Sequence, residues 1–318
     1  MGQWLCGELL RGGWEVAGAR MEPDSVDHAA HAPGGAPGGL TAEEAAAVSW
    51  LACDVTSNAD LARALDTARP DAVFHLAGVS FLPAAGNDPA AALAVNTVSA
   101  ARLLGEVRAR KRAGTLDPVV LIVGSGEQYG PHAPEEQPLP EGAELRPMNV
   151  YAASKAAQEV VSLEAFRSDG VRVIATRSFN HSGRGQSPRF VVPALARRAL
   201  ALRASPGGVL PLGNSTPVRD FLHVADVVRA YMLLAERGKA GEVYNVASGR
   251  GVAIGELASR ILALAGTDAR LEVDQSLVRP VDVPVLVGDA SKLAATTGWS
   301  AEHSLDSIIE DVISATAR

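Results

Sequence analysis

The chain has 318 residues, 47% of them hydrophobic, enough to bury a large core in one domain or two lobes. A net charge of −7 argues against a nucleic-acid surface. No apolar run is long enough to span a membrane, and no basic segment followed by an apolar run marks a signal peptide.

Cys6 and Cys53 give neither a disulfide framework nor zinc spacing, and no two histidines stand at i, i+4. A reducing cytoplasm and no metal are the expectations.

The first residues, MGQWLCGELL, place Leu5, Leu9 and Leu10 at helical spacing, and Gly12 and Gly13 stop that helix. WEVAGA then reads as a short buried strand. The Gly/Pro-rich HAAHAPGGAPGGL has no periodicity and is expected to be a surface loop. VSWLACDV is a strand, NADLARALDTA a helix with Asn58 as its expected N-cap, and DAVFHLAG a buried strand. A long helix is predicted from about Asp88 to Arg112. The strand DPVVLIVGSG follows, then a helix from about Asn149 to Arg167 and the strand VRVIATRS. Near-continuous apolar strands separated by helices predict a parallel sheet covered on both faces, the doubly wound α/β class.

The pattern changes after about Ser178. FNHSGRGQSPRF is rich in Gly, Pro and polar groups. A helix near 188–203, short strands, a helix from about His223 and two C-terminal helical patterns come next. The expected division is a sheet domain, 1–178 with about 217–247, and a smaller α/β lobe, about 179–216 with 248–318, woven into it.

In a dinucleotide-binding Rossmann sheet the first strand runs into a glycine-rich turn and a helix, whose N-terminus receives the pyrophosphate. Gly2, followed by its helix and a strand, matches the end of such a unit. The expectation is an interrupted fingerprint, its first strand and earlier glycines lying ahead of Met1. Weak cofactor binding and low stability follow from that expectation.

NVYAASKAAQEV supplies Tyr151 and Lys155, at i, i+4 on one helix face. A lysine ammonium near a phenol favours the phenolate, which suits proton exchange with a carbonyl or alcohol oxygen. GSGEQYG places Ser125 and Glu127 just beyond a buried strand, where ligands of open α/β sheets bind. Ser125 can hydrogen-bond the oxygen that Tyr151 protonates. Glu127 can contact a sugar hydroxyl, act as a base or remain solvated. FHLAG, with Leu76, Ala77 and Gly78, ends its strand in small residues that suit close approach of a cofactor. Asp54, beside Val55 in CDV, can accept from an adenine amine, with local capping an equal alternative. Asn96 in AVNTVSA can support the site through backbone contacts, and there too capping is an equal alternative.

Taken together, Gly2 with its helix, CDV, FHLAG, VNTVSA, GSGEQYG, YAASK and RSFNHSGRG resemble the extended short-chain dehydrogenases/reductases, in the expected order over nearly the whole chain. RSFNHSGRGQSPRFVVPALARR, VRDFLHVADVVRAY and RPVDVPVLVGDASKLAATTGW resemble the GDP-6-deoxy-D-mannose reductases of that family. The resemblance implies reduction of the 4-keto group of GDP-4-keto-6-deoxy-D-mannose to GDP-D-rhamnose, a nicotinamide cofactor, a GDP-sugar pocket in the C-terminal lobe and a homodimer. It assigns proton donation to Tyr151, tuning of Tyr151 and grip of the ribose to Lys155, and carbonyl orientation to Ser125. Asn180 is assigned to the sugar or its phosphates. Arg219 and Arg279 are assigned to the diphosphate or guanosine ribose, with Arg189 a weaker candidate. Arg20 ends the second strand where NAD-specific relatives carry an acid, so NADP(H) is favoured; nearby Glu22 keeps NAD(H) open.

Two alternatives remain. One is a GDP-mannose 4,6-dehydratase or another nucleotide-sugar epimerase/dehydratase, with Glu127 as the eliminating base. The other is a non-catalytic nucleotide-sugar- or cofactor-binding protein.

Overall fold

The structure, a computed structural model, describes residues 1–21, 40–205, 207–278 and 283–317. Residues 28–39 of the Gly/Pro-rich stretch, Glu22 and Arg279 lie outside them. The strands are, in chain order, β1 (Ala17–Arg20), β2 (Ser49–Ala52), β3 (Ala72–His75), β4 (Val119–Val123), β5 (Val173–Ser178), β6 (Asn180–Ser182), β7 (Val209–Leu212), β8 (Val218–His223), β9 (Val243–Val246), β10 (Gly251–Ala253), β11 (Arg270–Val273) and β12 (Val285–Leu286).

The main sheet runs β3-β4-β5-β9, every pair parallel. β4 shows why its sequence is apolar throughout. Successive side chains of a strand point to opposite faces. Val120 and Ile122 enter a core with Leu61, Leu103 and Val107, while Val119 and Leu121 enter another with Val227, Tyr231 and Trp299. Helices cover both faces, as the apolar runs predict. β1 and β2 form a separate parallel pair. Among the described residues neither β1 nor β3 has a second strand partner, and both line one cleft.

The expected long helix is built in three continuous parts. They are α-helix Pro89–Leu93, a π-helical turn Ala94–Val98 and α-helix Ser99–Arg112. Such π turns are frequent at functional sites, and this one turns Asn96 fully inward. The helix Asn58–Ala68 is capped by Ser57 rather than by Asn58. Ser57 holds the extended conformation a cap needs, and its hydroxyl accepts from Asp60 N at 3.3 Å.

Beyond β5 the chain builds a second sheet, β10-β8-β12, with β6 alongside β8, and a β11-β7 pair. Leu195, Leu257, Ile261 and Ile309 knit their helices into one core. β8 departs from the expected division, because Val218–His223 pairs in this second sheet. β9 then returns the chain to the main sheet.

Candidate active site

The strand ends open onto a cleft of about 2780 Å³. Gly2, Arg20, Val55, Leu76, Ala77, Gly78, Ser125, Glu127, Tyr151, Lys155, Asn180, Arg189 and Arg219 all line it. Two expected residues do not join them in the described structure. Arg279 lies outside the described residues. Asp54 is spent locally: its Oδ1 accepts from Thr56 N at 2.8 Å and Thr56 Oγ1 at 2.7 Å. These bonds, the backbone one first, hold its carboxyl below the ordinary range, and only its neighbours Cys53 and Val55 line the cleft.

Ser125 follows β4 and caps the short 3-10 turn Gly126–Tyr129, its Oγ accepting from Glu127 N at 3.2 Å. The helix Val150–Asp169 carries Tyr151 and Lys155 and starts at an Asn149 cap, whose side chain accepts from Ala152 N at 2.8 Å. The Tyr151 phenol and the Ser125 hydroxyl share the cleft wall, and the hydroxyl favours the ionised phenol. Burial pushes the phenol above its ordinary range, the Ser125 hydroxyl works against that, and the Glu127 charge adds to the rise.

The lysine corrects one expectation. Its ammonium turns to the sheet, donating to Val123 O at 2.7 Å and Gln158 Oε1 at 3.0 Å. It does not depress the phenol's pKa. Burial draws the ammonium itself down to about 8.

Asn96 ties two elements together. Its Oδ1 accepts from Val79 N at 2.7 Å, and its Nδ2 donates to Val79 O at 3.1 Å and Ser154 Oγ at 2.8 Å. The loop after β3 is thereby fixed to the helix of Tyr151. Beneath it, Ser99 donates to Val95 O at 2.5 Å, so His75 Nε2 must be the donor in its 3.0 Å contact with Ser99 Oγ. Burial takes His75 down to about 3.

These residues fit a nicotinamide dinucleotide. At Gly78 an added Cβ would lie 3.0 Å from Asn96 Oδ1 and 3.4 Å from Lys155 Nζ, so bare backbone faces the cleft there. Lys155 has two acceptors for three N–H bonds among the described residues. The Arg20 guanidinium lies 4.4 Å over the Trp50 ring at the end of β1. Gly2 shows no such tightness: an added Cβ would meet only Leu76 Cδ1, at 3.9 Å, so close packing does not demand glycine there.

On the opposite wall, Arg219 Nη1 donates to Val218 O at 2.9 Å and Val283 O at 2.7 Å. Arg189 sits 5.8 Å over the Phe81 ring. Sequence reasoning missed Gln128, Glu159 and Arg177, buried polar groups behind Ser125. Charged residues inside an otherwise apolar strand and helix face were the available signal.

The sequence profile of the GDP-mannose 4,6-dehydratases matches residues 1–312. The chain belongs to that family. A GDP-6-deoxy-D-mannose reductase of Pseudomonas aeruginosa is 35% identical over 246 residues, covering 77% of this chain and 80% of the relative. The structure of RMD from Pseudomonas aeruginosa, complexed with NADPH, superposes with a TM-score of 0.77 at 32% identity, covering 85% of this chain and 90% of that one. The UDP-glucose 4-epimerase of Thermus thermophilus, complexed with NAD, gives a TM-score of 0.81 at 25% identity, over 99% of this chain and 95% of that one. The fold of this family is that of the short-chain dehydrogenases/reductases, a parallel α/β sheet. Among the described residues, no helix is long and apolar enough to cross a membrane. Nor does any group of three or more His, Cys, Asp or Glu form a metal site among them.

Proposed function

We propose that this chain is a cytoplasmic nucleotide-sugar 4-ketoreductase that converts GDP-4-keto-6-deoxy-D-mannose to GDP-D-rhamnose, using NADP(H) in preference to NAD(H). The observation that carries the reading is that Ser125, Tyr151 and Lys155 line one cleft at the strand ends. The 35% identity to a GDP-6-deoxy-D-mannose reductase supports the substrate, and the NADPH-bound relative supports the cofactor.

When bound, reduced nicotinamide supplies the hydride for C4 of the sugar. Tyr151 gives its phenolic proton to the C4 oxygen. Burial keeps that phenol protonated at neutral pH, the form a donor needs. Ser125 donates its hydroxyl hydrogen to the same oxygen and stabilises the negative charge developing there. Lys155 holds the nicotinamide ribose with its remaining N–H. Gly2, Val55, Leu76, Ala77 and Gly78 contact the cofactor, and Arg20 receives its 2′-phosphate. Asn180 contacts the sugar or its phosphates, and Arg219, Arg279 and, more weakly, Arg189 hold the diphosphate or guanosine ribose. The sheet domain carries the cofactor and the smaller lobe the GDP-sugar. A homodimer completes the reading, supported by exposed Leu93, Val98 and Val160 on the helical face.

A second reading, GDP-mannose 4,6-dehydratase, is favoured by Glu127, which lines the cleft two residues from Ser125. Supplying GDP-mannose and the 4-keto sugar separately decides between them. NADPH consumption with the keto sugar is expected. Conversion of GDP-mannose without net cofactor consumption would replace the reductase by the dehydratase. Folded protein that binds no NADPH in calorimetry would make the chain a non-catalytic binding protein.

A further inference from the structure

We propose that the buried Glu159–Arg177 ion pair is a positioning device for Ser125, acting through the side-chain amide of Gln128. The proposal rests on the roles of Ser125 and Tyr151 given above.

Arg177 Nη2 meets Glu159 Oε1 at 2.7 Å and Nε meets Oε2 at 2.9 Å, in a two-point pair. The side chains are 6% and 7% exposed. Glu159 Oε2 also accepts from Gln128 Nε2 at 3.0 Å, and Gln128 Oε1 accepts from Ser125 N at 2.7 Å. Both ends dictate the amide's orientation. The carboxylate requires a donor and the Ser125 N–H requires an acceptor, so a flipped amide loses both bonds.

The surroundings hold the chain of contacts still. Arg177 is fixed further by Glu141 O at 2.9 Å and by the Tyr129 ring, 4.8 Å from its guanidinium carbon. Gln128 is fully buried. The amide occupies space that a side chain at residue 124 would take: a Cβ on Gly124 would lie 2.5 Å from Gln128 Oε1. A buried ion pair is not a cheap route to stability, and apolar side chains of similar volume often serve as well. A carboxylate here does what they cannot. It accepts the two-point guanidinium and the Gln128 amide together.

Gln128, Glu159 and Arg177 do not line the cleft. Their effect on the reaction must therefore pass through Ser125. With its N–H clamped, Ser125 presents an Oγ that accepts from Glu127 N. Its own hydrogen is left to donate to the phenol oxygen or to a substrate oxygen.

The test uses Gln128→Met, which keeps the volume, removes both amide bonds and leaves the ion pair intact. Carbon-13 labelling of the four tyrosines, with Tyr151→Phe to assign the signal, follows the phenol's titration. Displacing the Ser125 hydroxyl, which pulls the phenol's pKa down, is expected to raise the Tyr151 pKa. With the keto sugar, kcat should fall roughly tenfold, less than the effect of deleting an oxyanion donor outright, and KM should stay within about twofold. On a Ser125→Ala background, Gln128→Met should change kcat less than about twofold, because coupled residues are not additive. If Gln128→Met folds poorly, Glu159→Asp retains the charge, withdraws the carboxylate from the amide and should give the same shift. An unmoved phenol titration, or an equal kcat loss on the Ser125→Ala background, would overturn the positioning role. If the wild-type chain does not reduce the keto sugar, the reductase reading fails, and the titration still decides the positioning role.

Discussion

Lys155 stands one helical turn beyond Tyr151, yet its ammonium donates to Val123 O at 2.7 Å and Gln158 Oε1 at 3.0 Å rather than to the phenol. The two side chains are thereby separated in task. The phenol faces the cleft as a neutral donor, and the ammonium anchors the helix to the end of β4. Tyr151→Phe removes the proton and keeps the ring. Turnover of the keto sugar should fall by about 10²–10⁴, the usual contribution of a positioned acid, while the Kd of GDP-sugar in calorimetry stays within about twofold. Unchanged turnover would remove Tyr151 from the proton transfer.

The buried ammonium also sets a stability penalty with a definite pH window. Its pKa is about 8 in the folded chain against 10.5 for ordinary lysine. Between those values the unfolded chain holds a proton that the native chain has lost, so stability rises with pH there. Below about pH 8 the penalty is complete, roughly 3 kcal/mol. Lys155→Met removes it but leaves Val123 O and Gln158 Oε1 without their donor, which costs about 1 kcal/mol each. The expected net is a variant about 1 kcal/mol more stable at pH 7, with the alkaline rise abolished and activity lost. Urea unfolding at pH 7 and pH 9.5 measures this. A less stable variant that keeps the rise would show that the penalty lies elsewhere.

On the acid side two buried histidines stand out. His75 is drawn down to about 3 and His181 to about 4 by burial, against 6.5 for ordinary histidine. As pH falls below 6.5 the unfolded chain takes up protons that the native chain refuses, so stability is lost. For His75 the loss is about 2 kcal/mol by pH 5. His75→Gln retains a donor for Ser99 and does not titrate. Comparing unfolding at pH 7.5 and pH 5, the wild type should lose about 2 kcal/mol more than the variant. Equal losses would mean that His75 takes up its proton as readily folded as unfolded.

Local patterns carried much of this architecture, and long-range contacts did not. Tyr151 and Lys155 were legible because helical spacing puts i and i+4 on one face. Ser125 was legible because an apolar strand ends just before it. Which way the Lys155 ammonium turns depends on Val123 and Gln158, and no spacing rule reports that. Asp54 follows a strand whose end lies by the cleft, but Thr56, two residues on, captures its carboxylate in a turn. The Val218–His223 alternation says strand without naming its sheet, and its partners come from the segments around 180, 251 and 285. The π turn at Ala94–Val98 preserves the apolar periodicity on both sides and so reads as plain helix. Glu159 and Arg177 meet only when the helix Val150–Asp169 packs beside β5.

Arg20 offers the sharpest test of cofactor choice. It is the last residue of β1, and its guanidinium lies over the Trp50 ring at 4.4 Å. Such stacking is worth about 0.5–1 kcal/mol at exposed sites and holds the planar fork in one orientation. A 2′-phosphate then meets donors that are already aligned, and a charged hydrogen bond contributes about 1.5–3 kcal/mol. Arg20→Ala should therefore lower kcat/KM for NADPH by roughly ten- to a hundredfold, and leave kcat/KM for NADH within about twofold. Arg20→Asp should reverse the preference, because a carboxylate accepts from the free 2′-hydroxyl of NADH and repels the phosphate. The ratio of the two kcat/KM values is the measurement. If Arg20→Ala leaves it unchanged, another residue recognises the phosphate and the Arg20–Trp50 stack serves only to close the end of β1.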